Sequence, residues 1–207
     1  MSKLDAQCRK CRRAGSKLML KGDRCSSPKC AMVSRNYIPG IHGAKRRAKQ
    51  SQYGVQLAEK QKAKHSYGMR EKQFRILFEK AKRKGNAGEN FLKMLETRLD
   101  NVIYRLGLAV SRSQARQMVS HSNFLVNDKL VNVPSFQVKS NDIIKIKKSK
   151  ENNKLFNQSL GKAKKANLPG WLNWDWTELQ AKVLHEPSKG EVDQSINSQA
   201  IVEFYSR

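Results

Sequence analysis

All four cysteines of this 207-residue chain lie in one short basic segment, which limits how the chain can begin to fold. The stretch CRKCRRAGSKLMLKGDRCSSPKC runs from Cys8 to Cys30 and holds eight lysines and arginines. It has little apolar matter and no clear periodicity, so we expect loops, tight turns and no core of its own. Three kinds of chemistry could order it: a metal site, a pair of disulfides, or reactive thiols among cations.

The spacing of the cysteines favours a structural metal site. Cys8 and Cys11 enclose two residues, Cys25 and Cys30 enclose four, and thirteen residues separate the two pairs. Each close pair can turn both sulfurs toward one centre, as tetrahedral Zn²⁺ requires, and four thiolates leave no open position for catalysis. The neighbouring cations would also lower thiol pKa values, so redox-active thiols stay open as the alternative. Disulfides are disfavoured because MSKLDAQC is no secretory signal and a reducing cytosol is expected.

The charge of the chain indicates a polyanionic partner. The formal net charge is +25, and nucleic acid is the commonest partner of so basic a protein. Residues 1–84 carry 24 Lys and Arg against 5 Asp and Glu, residues 85–150 carry 11 against 5, and residues 151–207 carry 7 against 7. The surface that faces the anion is therefore expected in the first half and the middle. No apolar run reaches the roughly 18 residues of a membrane span. A basic chain could also bind anionic lipid, but no strongly amphipathic basic helix with aromatic residues on its apolar face is evident, so no membrane partner is expected.

Apolar periodicity predicts helices from about Gln52 onward. One stripe consists of Phe74, Leu77, Phe78 and Ala81, and Gly85 follows it. A second, continuous stripe consists of Phe91, Leu95, Leu99, Val102 and Leu106, and Gly107 follows it. Cations occupy the other face of the first helix, with few acids to pair with them. These cations are therefore candidate phosphate contacts rather than a merely solvated surface.

From Ser111 onward the pattern predicts a compact α+β unit. Ser111 is a plausible N-cap for the helix RSQARQMVSH, FLVNDKLVNV indicates a strand, a turn and a strand, and NDIIKIKK indicates a further strand. Beyond a polar connector, we expect Trp171, Trp174 and Trp176 to pack the C-terminal segment onto the helices. We also expect a short helix at TELQAKVL and a strand at AIVEFYSR.

The middle of the chain resembles the RNA-binding module of the ribosomal protein S4 family. The resemblance lies in RLDNVIYRLG, SRSQARQMVSH and LVNDKLVNVPSF. Outside the module, YGVQLAEKQKAKHSYGMREKQFR, PGWL and IVEFYSR are similar to the same family, so the resemblance covers essentially the whole chain. The cysteine segment is similar to that of the zinc-bearing members.

This resemblance implies a structural protein of the small ribosomal subunit, not an enzyme. Members bind small-subunit rRNA at a multi-helix junction, nucleate assembly of the subunit body, and contribute to translational accuracy. They line the region where mRNA enters, beside neighbouring ribosomal proteins, and some repress their own mRNA. We therefore expect these RNAs and proteins as partners, a cytoplasmic location in the ribosome, and no homo-oligomer. An RNA-modifying enzyme that carries the same module, and a redox-controlled RNA regulator, are the alternatives.

The predicted fold class is α+β, in three parts. Residues 1–45 form a basic segment with a Cys₄ zinc site that nucleates its folding. Residues 46–96 form a mainly helical domain that residues 160–207 complete. Residues 97–159 form an inserted S4-type module of helices packed on a small antiparallel sheet.

The predicted site residues fall into two groups. The ligands of a structural Zn²⁺ are Cys8, Cys11, Cys25 and Cys30. The predicted RNA contacts before the module are Arg9, Arg12, Arg13, Lys45, Arg46, Arg47, Lys62, Arg70, Lys72, Arg75, Lys82 and Arg83. Those in the module are Arg98, Arg112, Arg116, His121, Asn127 and Lys129. For His121 an interaction with the helix dipole, and for Asn127 simple turn chemistry, are the alternatives.

Overall fold

The computed structural model describes residues 6–45, 49–151 and 168–207. The chain forms two compact units. The helical unit comprises Met1–Phe91 and Asp193–Arg207, and the sheet unit comprises Leu92–Val192. Among the described residues, no helix has the length and apolar character that crossing a membrane requires.

Ten helices and five strands are assigned within the described residues. The helices are α1 Gln7–Ala14, α2 Asp23–Ser26, α3 Ala31–Ser34, α4 Gln52–Ser66, α5 Glu71–Lys82, α6 Ala87–Glu96, α7 Leu99–Arg105, α8 Arg112–Ser120, α9 Lys148–Glu151 and α10 Ser198–Tyr205. The strands are β1 Phe124–Val126, β2 Lys129–Val131, β3 Ile143–Ile146, β4 Leu172–Asp175 and β5 Gln180–Val183.

The basic N-terminal segment contains three short helices, so the prediction of loops alone was wrong. Helix α1 spans eight residues and buries only Cys11, which leaves too few apolar positions for a visible stripe. It ends at Gly15, whose φ of 70° lies in the left-handed region and whose N–H donates to the carbonyl of Cys11. Gly22 also has a positive φ, of 59°, so both glycines allow the chain to reverse between the cysteine pairs.

The helical unit includes α4, α5 and α10, of which α5 and α10 bury apolar residues and α4 buries mainly polar ones. The predicted helices at α4 and α5 are confirmed, and all four stripe residues of α5 are buried. The predicted C-terminal strand was wrong, because that segment forms helix α10, which packs on α4. Asn197 caps α10 by accepting a hydrogen bond from the Ala200 N–H at 3.2 Å. The ring of Tyr205 stacks on Phe78 with 4.6 Å between centroids.

The second predicted stripe is interrupted, so it forms two helices, α6 and α7, instead of one. The break lies at Thr97 and Arg98. The Thr97 carbonyl accepts a hydrogen bond from the Val138 N–H at 2.9 Å, and Arg98 forms an isolated β-bridge with Gln137. Thr97 closes α6 and Arg98 opens α7, and the bonds that both make to a distant loop keep the two helices from joining into one.

The sheet is antiparallel throughout, with strand order β2-β1-β3-β5-β4. The predicted hairpin is confirmed, and Asn127 and Asp128 form its turn with φ values of 49° and 62°. The predicted helix at TELQAKVL was wrong. That stretch contains β5, in which Ala181 and Val183 are buried and Ala181 pairs with Ile144 of β3.

The core of the sheet unit lies between the sheet and helices α7 and α8. It includes Leu99, Val102, Ile103, Phe124, Ile144, Trp171, Trp174 and Val183. Trp171 and Trp174 pack in this core together with residues of α7 and α8, and the partly buried Trp176 packs against it, so the prediction that the tryptophans pack the C-terminal segment onto helices is confirmed. Strand β4, which contains Trp174, extends the sheet with β5, and only Asp193–Arg207 of the predicted C-terminal part belongs to the helical unit. The α+β class and the module of helices on an antiparallel sheet are confirmed.

Candidate nucleic-acid interface and cysteine cluster

The four cysteines are free thiols that lie in one neighbourhood of the helical unit. Cys11, Cys25 and Cys30 are buried, and Cys8 is half-buried. Burial raises the pKa of the Cys11 thiol, a hydrogen bond with the Leu18 backbone opposes this, and the other three cysteines raise it further. Within the described residues, however, no three His, Cys, Asp or Glu side chains are arranged as a ready metal-holding group.

The loop after α3 is fastened to α1 by Arg12. The Arg12 Nε donates to the Tyr37 carbonyl at 2.8 Å, its Nη2 donates to the Ile38 carbonyl at 3.4 Å, and its guanidinium lies 4.6 Å from the Tyr37 ring centroid. Arg12, predicted as an RNA contact, thus braces the loop. Arg13 and Lys45 line an open cleft of about 360 Å³ beside this loop. Arg9 is exposed on α1.

Two of the predicted RNA contacts, Arg46 and Arg47, lie outside the described residues. Lys62, on α4, is half-buried and already has partners in the helical unit. Its Nζ lies 3.4 Å from a Glu59 carboxylate oxygen and also donates to the Ser195 carbonyl. Lys62 therefore contributes to the packing of the helical unit.

Helix α5 presents a row of cations on the side opposite its buried stripe. Lys72, Arg75, Lys82 and Arg83 are exposed, and none of the four forms an ion pair within residues 6–45, 49–151 and 168–207. At 100° per residue they span about 100° of the helix circumference, with Glu79 as the acid among them. Arg70 is exposed at the N-cap position of the same helix. Lys72, Arg75, Lys82 and Arg83 together form the α5 cation face.

Glu71, at the start of α5, is paired with the inner cations of α4. Its carboxylate accepts from Lys60 Nζ at 2.7 Å and from Lys64 Nζ at 2.8 Å. Burial opposes ionisation of Glu71, but these two hydrogen bonds outweigh it and hold the pKa of Glu71 at about 2. Glu71 offsets one of the two lysine charges within the helical unit, and the α5 cation face adds further positive charge that is exposed to solvent.

The prediction that Arg98 contacts RNA is corrected by the structure. Arg98 is only 3% exposed. Its Nε and Nη2 donate to the two carboxylate oxygens of Asp100 at 3.1 and 2.8 Å. A buried guanidinium held by two such bonds is a structural ion pair, because it is not accessible to a phosphate.

Arg112 and Arg116 of α8 both reach residues of α7. Arg116 donates through Nε and Nη2 to Asp100 Oδ2 at 3.1 and 2.8 Å, and 32% of its side chain is exposed. Arg112 donates through Nε to Asn101 Oδ1 at 2.8 Å, and its guanidinium lies 4.7 Å from the ring centroid of Tyr104. Both arginines remain partly accessible, and both are ordered by the neighbouring helix.

The other three predicted RNA contacts of the module are exposed. His121 is the C-cap of α8. Asn127 has a structural role as well, since its Nδ2 donates to Asp142 Oδ1 at 2.8 Å and its Oδ1 accepts from the Ile143 N–H at 2.9 Å. Its turn chemistry is therefore confirmed. Lys129, on β2, is exposed at one edge of the sheet.

The polar residues under these arginines were not among the predicted site residues. Glu96, Asp100 and Asn101 are 0%, 4% and 1% exposed. The sequence does contain a sign of this burial. Glu96 and Asp100 lie next to the apolar positions of the second stripe, and a carboxylate there can be buried only if a cation pairs with it. Which cation reaches which carboxylate depends on how α7 and α8 pack.

Comparison with known proteins gives consistent matches. The model of the ribosomal protein S4/S9 N-terminal domain matches residues 3–96, and that of the S4 domain matches residues 97–144. The chain is similar to small ribosomal subunit protein uS4 of Syntrophomonas wolfei, with 48% identity over 98% of each chain. It is 48% identical to uS4 of Magnetococcus marinus over 99% of this chain and 98% of that protein. Identity to uS4A of Alkaliphilus metalliredigens is 50% over 98% of each chain.

Proposed function

We infer that this chain, which belongs to the ribosomal protein S4 family, is a structural RNA-binding protein of the small ribosomal subunit. The observation that carries this inference is the match of the S4 domain to the part of the sheet unit that holds α7, α8 and the hairpin. The family is one of ribosomal structural proteins, and the chain is not an enzyme.

Two basic surfaces, one in each unit, support binding to RNA. In the helical unit it is the α5 cation face, whose exposed ammonium and guanidinium groups can each neutralise a phosphate. In the sheet unit it is Arg112 and Arg116 with the exposed His121 and Lys129 at the following helix end and hairpin. Arginine binds phosphate and stacks on bases, and irregular RNA exposes both.

The RNA proposed is small-subunit rRNA at a junction of several helices. Binding there would nucleate assembly of the subunit body and place the chain beside neighbouring ribosomal proteins, in the cytoplasmic ribosome. The same proposal includes three further roles. The chain would line the region where mRNA enters, contribute to translational accuracy, and repress its own mRNA. So does a monomeric state without membrane contact. The family resemblance and the two basic surfaces support these finer statements.

Titration of a small-subunit rRNA transcript with the full chain tests the proposal. We expect tight binding at about 50 mM salt that weakens steeply by about 200 mM, because each neutralised phosphate contributes about 0.7–0.9 to the slope of log affinity against log salt. A random-sequence RNA of equal length is the control, and we expect it to bind more weakly at both salt concentrations. Equal affinity for the two RNAs would contradict the proposal.

We also propose that the four cysteines bind one structural Zn²⁺. The support is chemical: two closely spaced pairs of free thiols, three of them buried, lie near one another among arginines and lysines. Four thiolates suit zinc, and the cations would offset their negative charge. Because the thiols are not arranged as a finished ligand set, binding would draw them together and tighten the N-terminal segment.

Elemental analysis of the purified chain is expected to find one zinc per chain. The double substitution Cys25→Ser and Cys30→Ser should abolish zinc retention and increase proteolysis of residues 6–45, because the segment has little core of its own. The variant Ser26→Ala, in the same short helix, keeps all four thiols and should retain the metal. Protein that lacks zinc, keeps this segment protected and forms disulfides reversibly would instead support redox-active thiols.

A further inference from the structure

Helix α7 holds the two arginines of α8 in fixed orientations. We propose that Asp100, Asn101 and Tyr104 are positioning residues that orient Arg116 and Arg112 for RNA before RNA binds. This inference rests on the proposed RNA-binding function of the chain. Asp100 and Asn101 are 4% and 1% exposed, so they act through the arginines and do not themselves touch RNA.

Asp100 orients Arg116 through one edge of its guanidinium. The Nε and Nη2 groups of Arg116 both donate to Asp100 Oδ2, at 3.1 and 2.8 Å. Two bonds from one edge fix the plane of the guanidinium as well as its position. The carboxylate is itself fixed, because Arg98 donates to both of its oxygens from the buried side.

The buried Arg98 explains how Asp100 can hold Arg116 without cancelling its attraction for an anion. Arg98 and Asp100 have side chains that are 3% and 5% exposed, whereas the side chain of Arg116 is 32% exposed. The three groups together carry two positive charges and one negative charge. The net positive charge is therefore retained, and the accessible part of the trio is Arg116.

Arg112 is oriented by an amide and an aromatic ring. The Nδ2 group of Asn101 donates to the Glu96 backbone carbonyl at 3.0 Å and to the Glu96 carboxylate at 2.7 Å. That arrangement turns Asn101 Oδ1 toward Arg112 Nε, which donates to it at 2.8 Å. The Tyr104 ring supports the same guanidinium from its face, 4.7 Å from the ring centroid.

Orientation in advance favours binding because an ordered side chain loses less freedom when it meets its ligand. A long, flexible arginine on an exposed helix must give up its rotamer freedom when it contacts a phosphate or a base. Arg112 and Arg116 have given up much of theirs during folding. Loss of the positioning groups should therefore weaken RNA binding even where the positive charge is kept.

The variants Asp100→Asn and Arg116→Gln of the full chain separate position from charge. Binding to the small-subunit rRNA transcript should weaken about five- to tenfold in Asp100→Asn, although this change makes the chain more positive. Arg116→Gln should lower the salt slope by about 0.7–0.9, whereas Asp100→Asn should leave it unchanged. Tighter binding by Asp100→Asn would show that charge alone matters and would overturn the proposal.

The double variant Asp100→Asn with Arg116→Gln tests whether Asp100 acts through Arg116. In the Arg116→Gln background, Asp100→Asn should change affinity by less than about twofold. A loss as large as in the wild-type background would show a general structural effect and overturn the positioning role. If Arg112→Gln with Arg116→Gln leaves affinity unchanged, the RNA-binding role proposed for these arginines fails instead.

Tyr104 supplies a second test that leaves the buried charges untouched and applies even if Asp100→Asn does not fold. Tyr104→Phe keeps the ring beneath Arg112 and should bind the transcript within about twofold of wild type. Tyr104→Leu removes the ring and should weaken binding about threefold or more at an unchanged salt slope. Equal affinity of the two variants would overturn the role of Tyr104.

Discussion

Replacing Lys72, Arg75, Lys82 and Arg83 together by glutamine is expected to weaken binding to small-subunit rRNA about 1,000-fold at about 0.1 M salt. If each of these exposed cations neutralises one phosphate, four contacts contribute about 2.8–3.6 to the salt slope. Titrations at several salt concentrations measure both the affinity and the slope. The fold should persist, because all four side chains are exposed and opposite the buried stripe of α5.

A charge-preserving variant is the matched control for this experiment. Lys72→Arg with Lys82→Arg keeps both positive charges and should bind RNA within about threefold of wild type, with the same slope. Circular dichroism of each variant checks that α5 remains helical. A loss below tenfold with an unchanged slope in the glutamine variant would place the phosphate contacts outside the α5 cation face.

The α5 cation face could be predicted from sequence because burial and charge alternate there at helical spacing. Phe74, Leu77, Phe78 and Ala81 are buried as predicted, and the cations between them point the other way. Local pattern was sufficient in this helix, since both faces are defined within its twelve residues and the C-cap Arg83. The same holds for the Ser111 cap, which accepts from the Gln114 N–H at 3.3 Å, and for the Asn-Asp turn.

The last two elements were assigned the wrong way round because intrinsic propensity and long-range pairing disagree there. TELQAKVL is rich in good helix formers, yet it contains β5, which pairs with β3 and β4 on its two sides. AIVEFYSR is rich in β-branched and aromatic residues, yet it lies in α10. In α10 Ala200 and Ile201 are buried, and the helix packs on α4. Neither partner is visible within a short window of sequence.

The roles of individual arginines could not be predicted from sequence for a related reason. Arg98 and Arg116 both pair with Asp100 in the fold. Nothing in the sequence around either arginine indicates that the first is buried and the second is accessible. The break before α7 carries Arg98 inward to one side of Asp100, while the packing of α8 on α7 brings Arg116 to the other side. The cysteine spacing, in contrast, correctly predicted that the four thiols lie near one another. The binding of zinc to them stays a prediction.

The largest effect on stability is expected from Glu96→Met in the sheet unit. The Glu96 carboxylate is 0% exposed and accepts from Asn101 Nδ2 at 2.7 Å and from Arg105 Nε and Nη2 at 2.9 and 2.6 Å. Methionine fills similar space but leaves Arg105, 29% exposed, without its counter-ion. Removing one partner of such a pair costs about 3–5 kcal/mol of unfolding free energy.

Urea unfolding followed by tryptophan fluorescence measures this cost, because all three tryptophans belong to the sheet unit. The double variant Glu96→Met with Arg105→Met is the matched control, and we expect it to be more stable than Glu96→Met alone. It removes both charges, so no unpaired guanidinium is left at the edge of the core. A cost below about 1 kcal/mol for Glu96→Met would show that the pair behaves as a solvated surface pair. Such a result would also contradict the proposed orientation of Arg112 through Asn101, because Glu96 holds the Asn101 amide in place.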